Sequence, residues 1–413
     1  MRIEPDLSID IDHLLSIPLY RDLYADLGEH RSRLTSLAQL PMLEKSKLVH
    51  AFPGCWMTKD LEEAIRVESV EYTTTSGSSG ERMQIVRPKH WWKGEYQRTY
   101  RTTALLKEFD SGADHKCILT TAVCSSAVCW RTDPTFEERI VGNTLYLNTS
   151  ADPNEWREQD VQRIFAEIDN WQPLYLDADP QYLALLITKA RAMGVPAPAH
   201  TPSVVSLSYE YASQFSVDII RSFFSSRICN LYGSTEAGYL MIDEGAGYRR
   251  TGSGAHLEFV PVQGMGSGVC EIVVTSIKNE CMPLVRYRTG DLVKMAEEGH
   301  IEAFCGRAKD AVEGCRGWVT VQSLDDALHA SGAELHAYQL EASTNAFRLR
   351  YVAGQAFSST DEAALRQALT QMFGSQKQLQ LKRVEEIHPL QSGKFALCVP
   401  AKASPAVINA MTV

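Results

Sequence analysis

Hydroxyls and glycines crowd the segment Thr75-Ser76-Gly77-Ser78-Ser79-Gly80. Glycines let backbone N–H groups approach phosphate oxygens closely, and Ser and Thr hydroxyls add donors. Glu81 and Arg82 come next rather than a Gly-Lys-Ser/Thr, so this is not a Walker A loop. A second segment, Asn230-Leu231-Tyr232-Gly233-Ser234-Thr235-Glu236-Ala237-Gly238, closes an apolar run with an aromatic ring, hydroxyls and a carboxylate. At a strand end these suit a nucleotide, with a ring beside the base, a hydroxyl on a phosphate and a carboxylate on Mg2+. In the third, Leu284-Val285-Arg286-Tyr287-Arg288-Thr289-Gly290-Asp291-Leu292, an Asp follows a glycine turn and can accept from both hydroxyls of a ribose. Gly306-Arg307-Ala308-Lys309-Asp310 and Gln391-Ser392-Gly393-Lys394-Phe395 bring cations. Taken singly, each has a plain alternative: a surface hairpin, a capped turn, a Gly-Asp turn, a charged linker, a solvated lysine.

The elements that must position these residues follow from periodicity. Helices are expected over residues 91–106, over 156–170 with Val161, Ile164, Phe165 and Ile168 on one face, and from Asp179-Pro180 to Gly194. Short apolar stretches alternate with them at 116–119, 144–147, 173–176, 204–207 and 228–232. Such alternation is the signature of an α/β domain with a largely parallel sheet. From about residue 250 the pattern turns to strands joined by Gly-rich turns, a smaller and mainly β subdomain. Beyond Gly306 a helix near 324–328, strands near 335–340, 347–352 and 379–384, and a helix capped by Ser359 and Glu362 make a small α+β unit. The segment before the first glycine-rich loop reads as helical, from Leu14, Leu15, Leu19 and Leu23. The expected architecture is α/β: residues 1–307 as a large N-terminal domain with its β subdomain, and 308–413 as a small mobile α+β domain.

Composition bounds the rest. The 413 residues, 44% hydrophobic and 22% charged, carry a net charge of -10. That balance argues against non-specific nucleic-acid binding, which needs a basic surface, yet leaves room for a local phosphate site. No apolar run approaches the roughly 18 residues of a membrane span, and the acidic N-terminus lacks a signal-peptide core. Ten cysteines include no CxxC pair, so a structural zinc site is not expected. A cytoplasmic protein with neither nucleic acid nor membrane as partner is expected; its oligomeric state is open.

The five segments, in their order and spacing from about residue 72 to 396, resemble the adenylate-forming superfamily of acyl-CoA synthetases, adenylation domains and luciferases. The short N-terminal part, the reduced C-terminal unit and the stretch Pro173-Leu174-Tyr175-Leu176-Asp177-Ala178-Asp179-Pro180-Gln181-Tyr182-Leu183 look closest to the phenylacetate–CoA ligase-like branch, with its relatives in antibiotic biosynthesis. The resemblance implies that ATP and Mg2+ activate a small carboxylic acid as an acyl-AMP. The acyl group then passes to coenzyme A, a carrier protein or an amine; a nucleotide-binding relative without catalysis is the alternative. By the same resemblance Thr75, Ser76, Gly77, Ser78, Ser79 and Gly80 form a mobile phosphate loop. Tyr232, with Gly233 and Ser234, packs beside adenine, Thr235 contacts the α-phosphate and Glu236 ligates Mg2+. Asp291 binds the ribose hydroxyls, Arg307 the ribose or phosphates, Lys309 marks the hinge, and Lys394 bridges the attacking carboxylate and the α-phosphate.

In Ser206-Leu207-Ser208-Tyr209-Glu210 the family has a Gly-Gly-Glu-type turn framing the adenine; Glu210 fits, whereas Tyr209 stands in place of a glycine. Arg82 and Met83 replace the Pro and Lys that usually continue the phosphate loop. The glycine lining the pantetheine tunnel arrives one residue late, at Gly317, next to Cys315 and Arg316. The acyl pocket is expected between about Tyr96 and Trp130, near 207–209 and at Tyr239–Leu240. Cys124, Ser125, Ser126, Cys129 and Trp130 give it small and aromatic surface without an obvious fixed cation, which favours an aromatic or compact acid.

Overall fold

The computed structural model describes residues 2–4, 7–26, 36–50, 52–75, 83–110, 112–122, 134–252, 254–343, 346–375 and 377–400. Five parallel strands form its centre, in the spatial order Thr144–Tyr146, Lys116–Leu119, Tyr175–Ala178, Val204–Leu207 and Arg227–Ser234. Side chains alternate across a strand. Leu176 and Ala178 therefore enter a core shared with the helices Glu158–Trp171 and Pro180–Met193, while Tyr175 joins Tyr100 of the helix Trp91–Thr102 on the other face. The expected strands and helices are present here, with one shortening. The first helix ends at Thr102 rather than near 106, where the hydroxyls of Thr102 and Thr103 donate back to the carbonyls of Arg98 and Thr99 at 2.9 and 3.0 Å. Such back-bonding competes with continuation of a helix.

The β-rich part is continuous with this sheet. The strand Gly238–Asp243 pairs antiparallel with Arg227–Ser234, Tyr248–Arg250 follows, and Tyr248 pairs with Ile301. Through that pair the sheet reaches Ile301–Arg307, Leu284–Met295, Val269–Ser276 and His256–Pro261, and with Ile140–Val141 antiparallel to Thr144–Tyr146 at the other edge it has twelve strands. The N-terminal segment includes the short helices Ile11–Ser16 and Pro18–Leu23, divided because Pro18 cannot continue the first, and the helices Lys45–His50 and Lys59–Arg66. Tyr20 from the second donates to the carbonyl of Pro283 at 2.6 Å and accepts the N–H of Val285 at 2.9 Å. This clamps the strand that carries Asp291.

Beyond Asp310 a hairpin of Val312–Gly314 and Gly317–Val319 leads to a four-stranded sheet, in the order Gln378–Arg383, Ala346–Ala353, Leu335–Ala342, Cys398–Val399. The helices Val321–Ala330 and Ser359–Phe373 cover it around Leu324, Leu328, Leu365 and Leu369. The capping box belongs to Ser358 and Asp361 instead of Ser359 and Glu362. Ser358 is the extended residue, and its N–H donates to Asp361 at 2.7 Å. No helix among the described residues is long and apolar enough to cross a membrane.

Candidate active site

The C-terminal ends of the parallel strands face a cavity of about 400 Å3, closed from the other side by residues beyond 308. Ligands of open α/β sheets bind at this edge, where strand order reverses. Glu210, Tyr232, Gly233, Asp291, Arg307, Lys309 and Lys394 all line it. Tyr232 and Asp291 come from different strands, and Tyr232 Oη donates to Asp291 Oδ2 at 2.8 Å. Arg307, at the end of the strand Ile301–Arg307, reaches the other carboxylate oxygen at 3.3 Å. Burial works against the Arg307 charge, but Asp291 and Asp310 outweigh it and hold the guanidinium above its ordinary value. The Tyr232 ring lies 5.1 Å from that of Phe304, on which Tyr211 stacks. Gly233 sits at a register shift where a Cβ would come within 2.6 Å of the Gly238 oxygen, so no side chain fits between these strands.

Lys394 enters on a tight turn. Leu390 N–H donates to the Lys394 carbonyl and Gly393 N–H to that of Leu390, each at 2.7 Å. Gly393 has φ 75°, and a Cβ there would collide with Thr121. Two side chains pin the turn to the N-terminal core: Tyr182 Oη donates to the Gly393 carbonyl at 2.7 Å, and Glu210 accepts the N–H of Phe395 at 2.9 and 3.1 Å. Lys394 Nζ donates to the Tyr209 carbonyl at 2.6 Å. Burial depresses the Lys394 ammonium, with the carboxylates of Glu210 and Asp179 pulling the other way. Burial first, and then Asp179, push the Glu210 carboxyl well above its ordinary value. Asp179 itself is pushed up to about 7 by burial, with Lys394 opposing. It caps its helix by accepting from the N–H groups of Gln181 and Tyr182, just before Pro180.

Other expected residues stand outside the cavity lining. Thr75 Oγ1 accepts the N–H of Met83 at 3.0 Å and closes the hairpin of Val70–Thr74 and Gln84–Pro88. The phosphate-loop residues Ser76, Gly77, Ser78, Ser79 and Gly80, with Arg82, lie outside the described residues, as do Cys124, Ser125, Ser126, Cys129 and Trp130. Ser234 Oγ accepts the N–H of Ala237 at 3.2 Å, so it holds the turn between two strands. Thr235 and Glu236 are on that turn, and Tyr287 Oη donates to Glu236 at 3.2 Å.

Sequence reasoning missed the wider roles of Asp179 and Tyr182, read there only as a helix start. It also missed Asn230, whose buried Oδ1 has no partner among the described residues and which lines the cavity. Asp179 caps the helix that carries Tyr182, and Asn230 lies within the strand Arg227–Ser234, so no one local pattern marks the three. Tyr209, where the family has glycine, keeps φ 75°. For an aromatic residue this left-handed backbone costs ~1–2 kcal/mol. A fixed cation overlooked by the sequence reading lies in the region expected to hold the acyl pocket: Lys116 Nζ pairs with Asp177 at 3.1 Å, beneath the rings of Tyr96 and Tyr175.

No family model matches the chain, and no curated protein matches it in sequence. Solved structures do. A 2-hydroxyisobutyryl-CoA ligase in its postadenylation state, in complex with 2-HIB-AMP, is 14% identical with a TM-score of 0.69, covering 97% of this chain and 89% of its own. The same ligase with 2-HIB-AMP and CoA in the thioesterification state gives 0.54 over 97% of this chain and 90% of its own, so the present arrangement is nearer the former. An anthranilate CoA ligase in complex with anthranoyl-AMP gives 0.54 at 14% identity, over 78% of this chain and 65% of its own. An amide bond synthetase from Marinactinospora thermotolerans gives 0.55 at 14%, over 79% and 67%. The chain has the fold of the acyl-adenylate-forming ligases.

Proposed function

We propose that the protein is an ATP-dependent ligase that activates a compact carboxylic acid as an acyl-AMP and hands the acyl group to an acceptor. The observation that carries this reading is the single cavity joining the Tyr232–Asp291–Arg307 cluster to Lys394 and Glu210. Adenine packs beside Tyr232, where Asn230 Oδ1 is ready to accept from its exocyclic amine. Asp291 takes the ribose hydroxyls, and Arg307 holds the ribose or the phosphates. Two anions, the carboxylate and the α-phosphate, must then meet, so catalysis is chiefly charge neutralisation and positioning. Lys394 bridges them by leaving the Tyr209 carbonyl, and a carboxylate oxygen attacks the α-phosphorus as pyrophosphate departs. As a point charge on a flexible stem, a lysine suits that exchange of partners.

Glu236 is the residue to hold Mg2+. Among the described residues no group of three or more His, Cys, Asp or Glu could bind a metal. Glu236 would supply the one protein carboxylate that an ion shared with the substrate phosphates needs. When bound it neutralises phosphate charge. Thr235, on the same turn, contacts the α-phosphate, and the 75–80 loop covers the remaining phosphates.

Residues 308–413 form a unit that turns about Lys309 once the adenylate exists, exchanging the face that carries Lys394 for one that admits the acceptor. Coenzyme A is the leading acceptor, as the CoA ligases of the same fold suggest; an amine or a carrier protein is the alternative, in line with the amide bond synthetase.

Acid-dependent exchange of pyrophosphate into ATP tests the reading. A panel of substituted benzoic and short aliphatic acids is expected to include at least one that drives exchange. No exchange with any acid, in protein shown to bind ATP, would make this a binding module.

A further inference from the structure

Tyr209 stands where the nucleotide cavity meets the acyl side. Its backbone oxygen accepts from Lys394 Nζ at 2.6 Å, so an acid whose carboxylate engages that ammonium begins beside Tyr209. Its side chain runs the opposite way, and Oη donates to Asp177 Oδ2 at 3.0 Å. Asp177 is fully buried and also takes the ammonium of Lys116 at 3.1 Å. The rings of Tyr96 and Tyr175 lie 4.3 and 4.8 Å from that nitrogen, and Tyr239 packs on Tyr96 at 5.4 Å. A turn serving structure alone would place at φ 75° a glycine, which has no Cβ to clash, or an asparagine, whose short side chain offsets the clash by local hydrogen bonding. Here an aromatic side chain accepts the strained backbone and is anchored at its far end. Its ring therefore lies across the path that leads from the lysine toward the tyrosine cluster.

We propose that Tyr209 is a specificity-determining residue whose ring closes the far end of the acyl site and restricts it to compact acids. Asp177 and Lys116 are positioning residues that hold the ring in place. This rests on the adenylating function proposed above.

The experiment compares kcat/KM for pyrophosphate exchange with benzoic acid and with 4-butylbenzoic acid, in wild type, Tyr209→Phe and Tyr209→Gly. Wild type is expected to prefer the compact acid at least tenfold, and Tyr209→Phe, which keeps the ring but loses its hydrogen bond to Asp177, to fall between wild type and Tyr209→Gly. Tyr209→Gly should move that ratio tenfold or more toward the longer acid. Tyr209→Asn is short and tolerates the left-handed backbone, and it serves if the glycine variant does not fold. An unchanged ratio in a folded short-chain variant, or equal use of both acids by wild type, overturns the assignment of Tyr209 alone. Wild type that exchanges with no acid at all overturns the adenylating function, and this inference with it.

Discussion

Fifty-nine positions separate Tyr232 from Asp291, yet the phenol of one donates to the carboxylate of the other at 2.8 Å. Tyr232→Phe removes that donor from a buried acceptor, a loss of ~1 kcal/mol or more. KM for ATP is expected to rise roughly 5-fold with kcat nearly unchanged, as steady-state exchange kinetics would show; a fall in kcat with KM unmoved would assign the pair to chemistry instead. Asp179 offers a second test. Its carboxyl, ordinarily near 3.8, is pushed up to about 7 by burial, while Lys394 and the N–H groups of Gln181 and Tyr182 oppose the shift and Glu210 faces it as a second buried acid. A carboxyl whose value rises on folding stabilises the native state fully below its unfolded value, and that contribution is lost as pH climbs through the folded one. Asp179→Asn keeps an acceptor for the helix N-terminus but does not ionise. Its melting temperature should therefore gain on wild type between about pH 5 and about pH 8; a difference that stays flat with pH would show that Asp179 does not titrate there. Tyr232, Asp291, Arg307 and Lys394 were legible because residue type, order and flanking glycines mark them. Asp179, Tyr182 and Asn230 were not, because what brings them to the site is the meeting of separate strands, which no local pattern encodes.

At the scale of elements, the turn that carries Lys394 depends on Gly393, which combines a positive φ with an approach to Thr121 that leaves no room for a Cβ. Gly393→Ala should displace the lysine by about an ångström and lower the exchange rate about 100-fold. Gly393 is buried and its Cβ would meet Thr121, so the melting temperature should fall as well, which a scan of the variant would show. Normal exchange in that variant would mean Lys394 is not held by this geometry. The central strands and helices were read correctly from alternation and from Asp179-Pro180 and Gly194, since each signal is local and strong. The cap of the last helix was misread for the opposite reason: Ser358-Ser359-Thr360-Asp361-Glu362 contains two overlapping capping patterns, and only the extended backbone of Ser358 decides between them. The β-rich part was read as a subdomain of the N-terminal domain, and it joins the parallel sheet through one long-range pair, Tyr248 with Ile301.

For the whole molecule, the placement of the C-terminal unit decides which residues face the cavity. In the present arrangement Asp325 accepts the N–H of Gln214 at 2.8 Å and the hydroxyl of Tyr338 at 2.9 Å, while His329 meets Asp218 at 2.8 Å. Phe215 of the core packs into the hydrophobic cluster of the C-terminal unit. If that unit turns about Lys309, in the short turn Ala308–Asp310, then Lys309→Pro should slow acyl transfer far more than adenylation, as single-turnover measurements of the two half-reactions would show. Equal slowing would argue against rotation. Beneath all of this lies the claim that a carboxylate attacks the innermost phosphorus of ATP. The most direct measurement uses a substrate acid labelled with 18O in both carboxylate oxygens, followed by mass spectrometry of the products after transfer. The account predicts AMP carrying one 18O and unlabelled pyrophosphate. Label in inorganic phosphate or pyrophosphate, or AMP without label, would contradict it.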